Sequence, residues 1–139
     1  MEANNAVPVG EIMMKGPVTL NSDDILDLAN DIMQLGRIRH IPILDNGKVV
    51  GVLSQRNLFQ SALVAAMGMR PKERKEHLKA IRVRDVMSAP VITASPKTGV
   101  KEAARIMVEK KIGCLPVMEK DTLVGLVTES DILRYVVNS

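Results

Sequence analysis

Two seven-residue stretches carry the residue types from which a small-molecule site can be built: Gly51-Val52-Leu53-Ser54-Gln55-Arg56-Asn57 and Gly125-Leu126-Val127-Thr128-Glu129-Ser130-Asp131. Each runs glycine, two apolar residues, a hydroxyl, two variable residues, then an amide or a carboxylate. Where a strand passes into a helix, a hydroxyl and a polar group three residues on face the same way. The helix start exposes N–H groups with no intrahelical partner and a partial positive charge, which suits phosphate. A carboxylate beside it can accept both hydrogen bonds of a ribose diol, as acidic residues do in dinucleotide folds. The same side chains also fit a capping box, with Ser54 or Thr128 as N-cap and Asn57 or Asp131 at the third helical position. Duplication of the pattern in matched context favours a ligand.

The surroundings of the two stretches are duplicated as well. Shifted by 74 positions, residues 9–63 fall on 83–137 without a gap, with Met13 on Met87, Ile38 on Ile112, Pro42 on Pro116 and Gly51 on Gly125 among the identities. Each copy opens on a single helical turn (9–13, 83–87) that lays Val and Met against the core. Short β-rich runs follow (18–20, 91–93), each ending in a helix-start signal: Ser22 or Asn21 in the first copy, Ser95-Pro96 in the second. Apolar residues at 3,4 spacing (Ile25, Leu28, Ala29, Ile32; Val100, Ala103, Ala104, Met107) predict a helix with one buried face. Residues 40–44 and 114–118 read as strands whose proline argues for an edge or a strand start. Asn46-Gly47 is a hairpin signal. In the return strands, Gly51 and Gly125 mark a bulge or a closely approaching ligand, and a second amphipathic helix closes each copy. The predicted fold class is α/β (α+β), two pseudo-symmetric β-α-β-β-α units. The division is an N-terminal tail 1–8, a first domain 9–66, a linker 67–82 and a second domain 83–139.

Composition narrows the functions open to such a chain. Each copy of about 55 residues is marginal alone on surface-to-volume grounds, so the copies are expected to share a core. With 46% hydrophobic residues but one Phe, one Tyr and no Trp, the interior is aliphatic and thioether, and stacking platforms for single-stranded nucleic acid are missing. One cysteine, Cys114, leaves no intrachain disulfide and no CxxC site, in keeping with a reducing, cytoplasmic location. Residues 1–5 lack a basic region leading into an apolar run, and no stretch has the length of a membrane span. Net charge is +3, but residues 70–84 alone carry +5. That basic linker is the one feature suggesting nucleic acid, and its plainer reading is a solvated helix. His40 reads as a hydrogen-bonded structural imidazole or a phosphate contact. Neither it nor Cys114 has a visible partner base that would make a nucleophile. A hydrolase using Asp131 or Glu129 lacks a P-loop or a dense acidic metal cluster.

The duplicated Val-x-Glu/Asp-Ile/Val-Met opening, apolar-Pro-apolar strand and Gly-apolar-apolar-Ser/Thr-x-x-Asn/Asp ending resemble a tandem pair of cystathionine-β-synthase (CBS) domains over residues 9–137. The resemblance implies a pair packed sheet to sheet, with two clefts for adenosyl compounds (AMP, ADP, ATP, NAD or S-adenosylmethionine), and dimerisation into a flat disk. It implies composite clefts, with adenine walls from one copy and the motif from the other. One would use Met14, Val18, Ile38, Arg39 and His40 with Thr128, Ser130 and Asp131. Its mate would use Ser88, Ile92, Ile112, Gly113 and Cys114 with Ser54, Arg56 and Asn57. The implied role is an energy-sensing regulatory module without catalysis, cofactor or metal, homodimeric and acting on a separate effector protein. Because an amide cannot offer two anionic acceptors to a diol, the Asp131 cleft is expected to be the stronger nucleotide site. Arg56 would favour a more phosphorylated ligand in the other.

Overall fold

The two hairpins form where turn chemistry and apolar alternation agree. In a computed structural model, which describes residues 7–139 without the side chains of 64–66, β3 (His40–Asp45) and β4 (Lys48–Ser54) pair antiparallel across Asn46-Gly47. Both turn residues adopt positive φ, 51° and 78°, as this two-residue turn requires. β5 (Cys114–Glu119) and β6 (Thr122–Thr128) repeat the hairpin. The expectation drawn from residues 1–5 lies outside the described residues.

Two short strands complete the sheets. β1 (Met14–Lys15) pairs antiparallel with β6, giving the order β1-β6-β5, and β2 (Leu20–Asn21) pairs parallel with β3, giving β2-β3-β4. The predicted strand at 91–93 shrinks to one bridge between Ala94 and Val117. Five α-helices follow among the described residues: α1 (Leu26–Gly36), α2 (Gln55–Ala66), α3 (Pro71–Ala80), α4 (Val100–Lys110) and α5 (Glu129–Val137). α4 buries Val100, Ala103 and Met107 of its predicted stripe; α1 buries Ala29 and Met33, but Leu28 is 41% exposed and Leu26 takes its place, Ile25 lying just before the helix. α3 is the charged linker helix, begun by Pro71 after Gly68 turns the chain at φ 89°.

Three expectations are corrected. Both prolines, Pro42 and Pro116, are fully buried inside their strands rather than at a start; Pro116 does lie on an edge strand, β5, but Pro42 lies on β3, the central strand of its sheet. The missing N–H is tolerated because β2 is short and pairs only with Ile43 and Leu44, just past the proline. The proposed caps are not used either: α1 and α4 begin after Ile25 and Gly99 with no side-chain cap. Their first N–H groups are satisfied by backbone from far away, Leu26 N donating to Ile81 O at 2.8 Å and Val100 N to Val7 O at 2.7 Å. Finally, the copies do not share one core. Leu26, Met33, Ile41, Ile43 and Leu53 cluster with Val83, and Met107, Leu115, Val117 and Val127 cluster separately with Val9.

Val83 and Val9 show how the units are made. One compact unit is Val18–Val91, and the other joins the described residues up to Pro17 to Ile92–Ser139. Each therefore holds the strands and helices of one copy and the opening turn of the other. The turns are 3₁₀ helices, Val9–Glu11 and Val83–Asp85, and both valines are completely buried. The units do not follow the repeat division at 9–66 and 83–139.

Candidate functional site

The return strands deliver both motifs to equivalent sheet ends. His40 pairs with Ser54 and Cys114 with Thr128, while Gln55 N donates to Arg39 O at 2.7 Å and Glu129 N to Gly113 O at 3.0 Å. Each motif thus sits beside residues 39–40 or 113–114 of its own copy.

Thr128 and Asp131 form a complete capping box. Asp131 Oδ2 accepts from Thr128 N at 2.8 Å and Thr128 Oγ1 at 3.0 Å, and Asp131 N donates to Thr128 Oγ1 at 3.4 Å. Arg134 donates to Oδ1 at 3.2 Å, from a side chain that is largely exposed while Asp131 is largely buried. Oδ2 is thereby committed to the helix start, while Oδ1 lies outside the box and faces Arg134, so capping uses only one of the two carboxylate oxygens.

Ser54 and Asn57 repeat the box with an amide. Asn57 Oδ1 accepts from Ser54 N at 3.0 Å and Ser54 Oγ at 2.8 Å, and Asn57 N donates to Ser54 Oγ at 3.0 Å. Ser88, from the opening segment of the second copy, adds its hydroxyl to Oδ1 at 3.4 Å. The backbone donor fixes the amide orientation, so Nδ2 points away from the box with two donors that make no hydrogen bond among the described residues. The two ends differ in the residues they carry: Arg39, His40 and Arg56 stand at the first, Glu129 and Asp131 with its partner Arg134 at the second.

The glycines are explained by protein rather than ligand. A Cβ on Gly51 would meet Ser88 O at 2.7 Å and Met87 Sδ at 2.8 Å, and one on Gly125 would run into Met13 Sδ and lie 2.9 Å from Met14 O. Each glycine lets the exchanged opening lie flat on the return strand. The predicted bulge is also present, one register shift per hairpin, at Ile43/Leu44 and Val117/Met118 opposite the glycine region. Ser88 is among the residues the sequence groups with Ser54 and Asn57, whereas nothing in the sequence reading places Met13 and Met87 against the glycines. Their signal was the identity of Met13 with Met87 beside an equally duplicated glycine.

Of the expected site residues, Val18, Ile38, Arg39, His40, Ser54, Arg56, Asn57 and Ser88 lie in one unit. Met14, Ile92, Ile112, Gly113, Cys114, Thr128, Ser130 and Asp131 lie in the other. Met14 and Val18 are about half exposed, while Cys114 is buried. Burial, with the nearby Glu129 carboxylate, pushes its thiol up from 9.0 to about 12, so no thiolate forms near neutrality. In the basic linker, Arg70 pairs with Glu73, Lys75 with Asp27, Arg84 with the Asp23 carboxylate and Arg82 with the Asp23 carbonyl. Two carboxylates from outside the linker, Asp23 and Asp27, thus answer part of its positive charge. Among the described residues no group of three His, Cys, Asp or Glu could hold a metal ion, and no helix is long and apolar enough to cross a membrane.

Comparison with known proteins agrees with this geometry. The CBS domain family model matches residues 9–63 and 83–138, and the chain belongs to that family as a pair of CBS domains. A CBS domain-containing protein of Dictyostelium discoideum is 31% identical over 133 residues, covering 94% of this chain and 92% of the relative. A Vibrio cholerae structure named for acetoin utilization (AcuB) superposes with a TM-score of 0.75 at 34% identity, covering 95% of this chain and 91% of that one. The CBS domain pair of protein MJ0100, solved with 5′-methylthioadenosine and S-adenosyl-L-methionine, superposes with a TM-score of 0.78 at 28% identity, covering 94% and 96%.

Proposed function

We propose that this chain is a regulatory module of the cytoplasm that binds adenosyl ligands and passes the change to a separate effector protein, with no chemistry of its own. The observation that carries the reading is the pair of Ser/Thr-x-x-Asn/Asp boxes at equivalent sheet ends, each leaving one polar function of residue 57 or 131 for a ligand. The solved relative holding two adenosyl compounds supports it. The ligand set is AMP, ADP, ATP, NAD and S-adenosylmethionine, and competition among the first three would make the module a sensor of energy state. The composite clefts belong to this proposal: Met14, Val18, Ile38, Arg39 and His40 wall the ligand read by Thr128, Ser130 and Asp131. Ser88, Ile92, Ile112, Gly113 and Cys114 wall the one read by Ser54, Arg56 and Asn57. Regulation requires the ligand to bind one arrangement of the pair better than another. The module is also proposed to be a homodimer, because closed two-fold pairs are the commonest solution for a self-complementary apolar patch.

A thermal-shift panel of AMP, ADP, ATP, NAD, S-adenosylmethionine and GTP tests the binding. Ligand at 100 times its Kd adds about 2.7 kcal/mol of stability. Stabilisation by adenosyl compounds and less by GTP is the expected result. No stabilisation by any member, in protein stripped of bound nucleotide, overturns the reading.

A further inference from the structure

The likeness of the two copies breaks beside α3. In the unit Val18–Val91, α3 packs against α1 and α2 and leaves between them a cavity of about 530 Å3, within the size range of small-molecule pockets. One wall is the polar stripe Asp27, Asn30 and Gln34 of α1, whose 3,4 spacing keeps all three on one helical face. Moved on by 74 positions, the stripe reads Lys101, Ala104 and Val108, so the two amides belong only to the copy that carries α3. A second wall is apolar, Phe59, Ala62 and Leu63 of α2, and it is open to solvent: Phe59 and Leu63 are 64% and 54% exposed. The third wall is α3, with Arg74, Lys75 and Leu78.

The charges lining this cavity do not cancel. Asp27 is buried, and Lys75 answers its carboxylate at 3.9 Å. Arg74 is left over. Every Lys and Glu of α3 is exposed, whereas Arg74 is half-buried, and its guanidinium makes no hydrogen bond or ion pair among the described residues. A partly desolvated cation of this kind is costly unless something pairs with it. On the α1 wall, Gln34 Nε2 donates to Asn30 Oδ1 at 3.1 Å, which fixes the Asn30 amide and leaves the two N–H donors of Nδ2 without a partner among the described residues. We propose that the cavity binds an amphipathic carboxylic acid. Its carboxylate is taken by Arg74, in the two-pronged geometry a guanidinium favours, and by Asn30 Nδ2, while its apolar body lies along Phe59, Ala62 and Leu63. A neutral apolar molecule would leave Arg74 unanswered. An amine would meet Arg74 and Lys75 beside a carboxylate that is already paired. None of the lining residues belongs to either Ser/Thr-x-x-Asn/Asp box, so this site stands apart from the adenosyl reading and does not depend on it.

NMR titration of the isotope-labelled full chain with decanoate, kept below its micelle concentration, tests the site, with decanol and decylamine as the neutral and cationic counterparts. Decanoate should give saturable shifts in α1, α2 and α3, the Asn30 side-chain amide among them, and none at residues 54–57 or 128–131. Arg74→Ala should weaken its binding about tenfold or more, the effect of losing hydrogen bonds to a charged group. Lys79→Ala, which removes an exposed cation of the same helix outside the cavity, should leave binding unchanged. Ala62→Phe, which fills the apolar wall of a chain that keeps Arg74, should block it. The proposal is overturned if decanoate gives no saturable shift, if decanol or decylamine binds as tightly, or if folded Arg74→Ala protein binds as the wild type does. Shifts at Phe59 and Leu63 that follow protein concentration rather than decanoate would make the occupant a second copy of the chain, and overturn it too.

Discussion

Copy one shows that an amide can do half of what Asp131 does. Asn57 Oδ1 receives the same N–H and hydroxyl from Ser54 that Asp131 Oδ2 receives from Thr128, so the helix start needs an oxygen, not a charge. Asp131→Asn should therefore leave the melting temperature nearly unchanged while removing the anionic acceptor beyond the box. If Oδ1 holds a ribose hydroxyl, adenosyl affinity at that site should fall by about 1.5–3 kcal/mol, the range for hydrogen bonds to a charged group. Asn57→Ala should cost less affinity but about 1 kcal/mol of stability through the lost cap. Calorimetry and melting curves on the two variants separate these effects. Equal affinity losses, or none from Asp131→Asn, would show that the carboxylate does not read the ligand. At this scale the motif was legible because its spacing repeats. The division of labour between the two carboxylate oxygens was not, because it depends on where Arg134 lies in space.

Among the elements, those written by local chemistry were readable: Asn46-Gly47 gave the hairpin, the 3,4 stripes gave α1 and α4, and Pro71 gave the start of α3. Elements whose partners lie far off in sequence were misread. Ser22 and Ser95 looked like caps, yet the N–H groups in question go to Ile81 O and Val7 O, segments that a linear reading assigns elsewhere. Of the two readings of each return-strand glycine, the bulge is present, but what approaches closely is the other copy's methionine rather than a ligand. This leads to a test that crosses the repeat boundary. Gly51→Ala places a Cβ against Ser88 O and Met87 Sδ and should destabilise by about 1–3 kcal/mol, the usual cost of overpacking. Hydrogen exchange should accelerate in the opening around Val83–Asp85 and stay unchanged around Val9–Glu11. Acceleration at both openings, or at neither, would mean that each glycine does not act on its own exchanged segment.

For the molecule as a whole, repeat and compact unit are different objects. A fragment cut at the repeat, 83–139, keeps β5, β6, α4 and α5 but loses Val9 from its core and β1 from its sheet. A chain joining residues 7–17 to 92–139 through a flexible linker keeps both. The second should show cooperative urea unfolding and the first should not; cooperative folding of 83–139 alone would mean that the exchanged opening is dispensable.

The exchange also makes the molecule a clasp. A single protease cut at Met67-Gly68-Met69 would leave two pieces, each still holding a buried valine in the other's core: Val9 belongs to the piece upstream of the cut and Val83 to the piece downstream. Neither piece can leave without opening both cores. Breaking the chain at its linker would therefore not part the halves, and α3 can be nicked or rearranged while the pair stays fastened at two separate points.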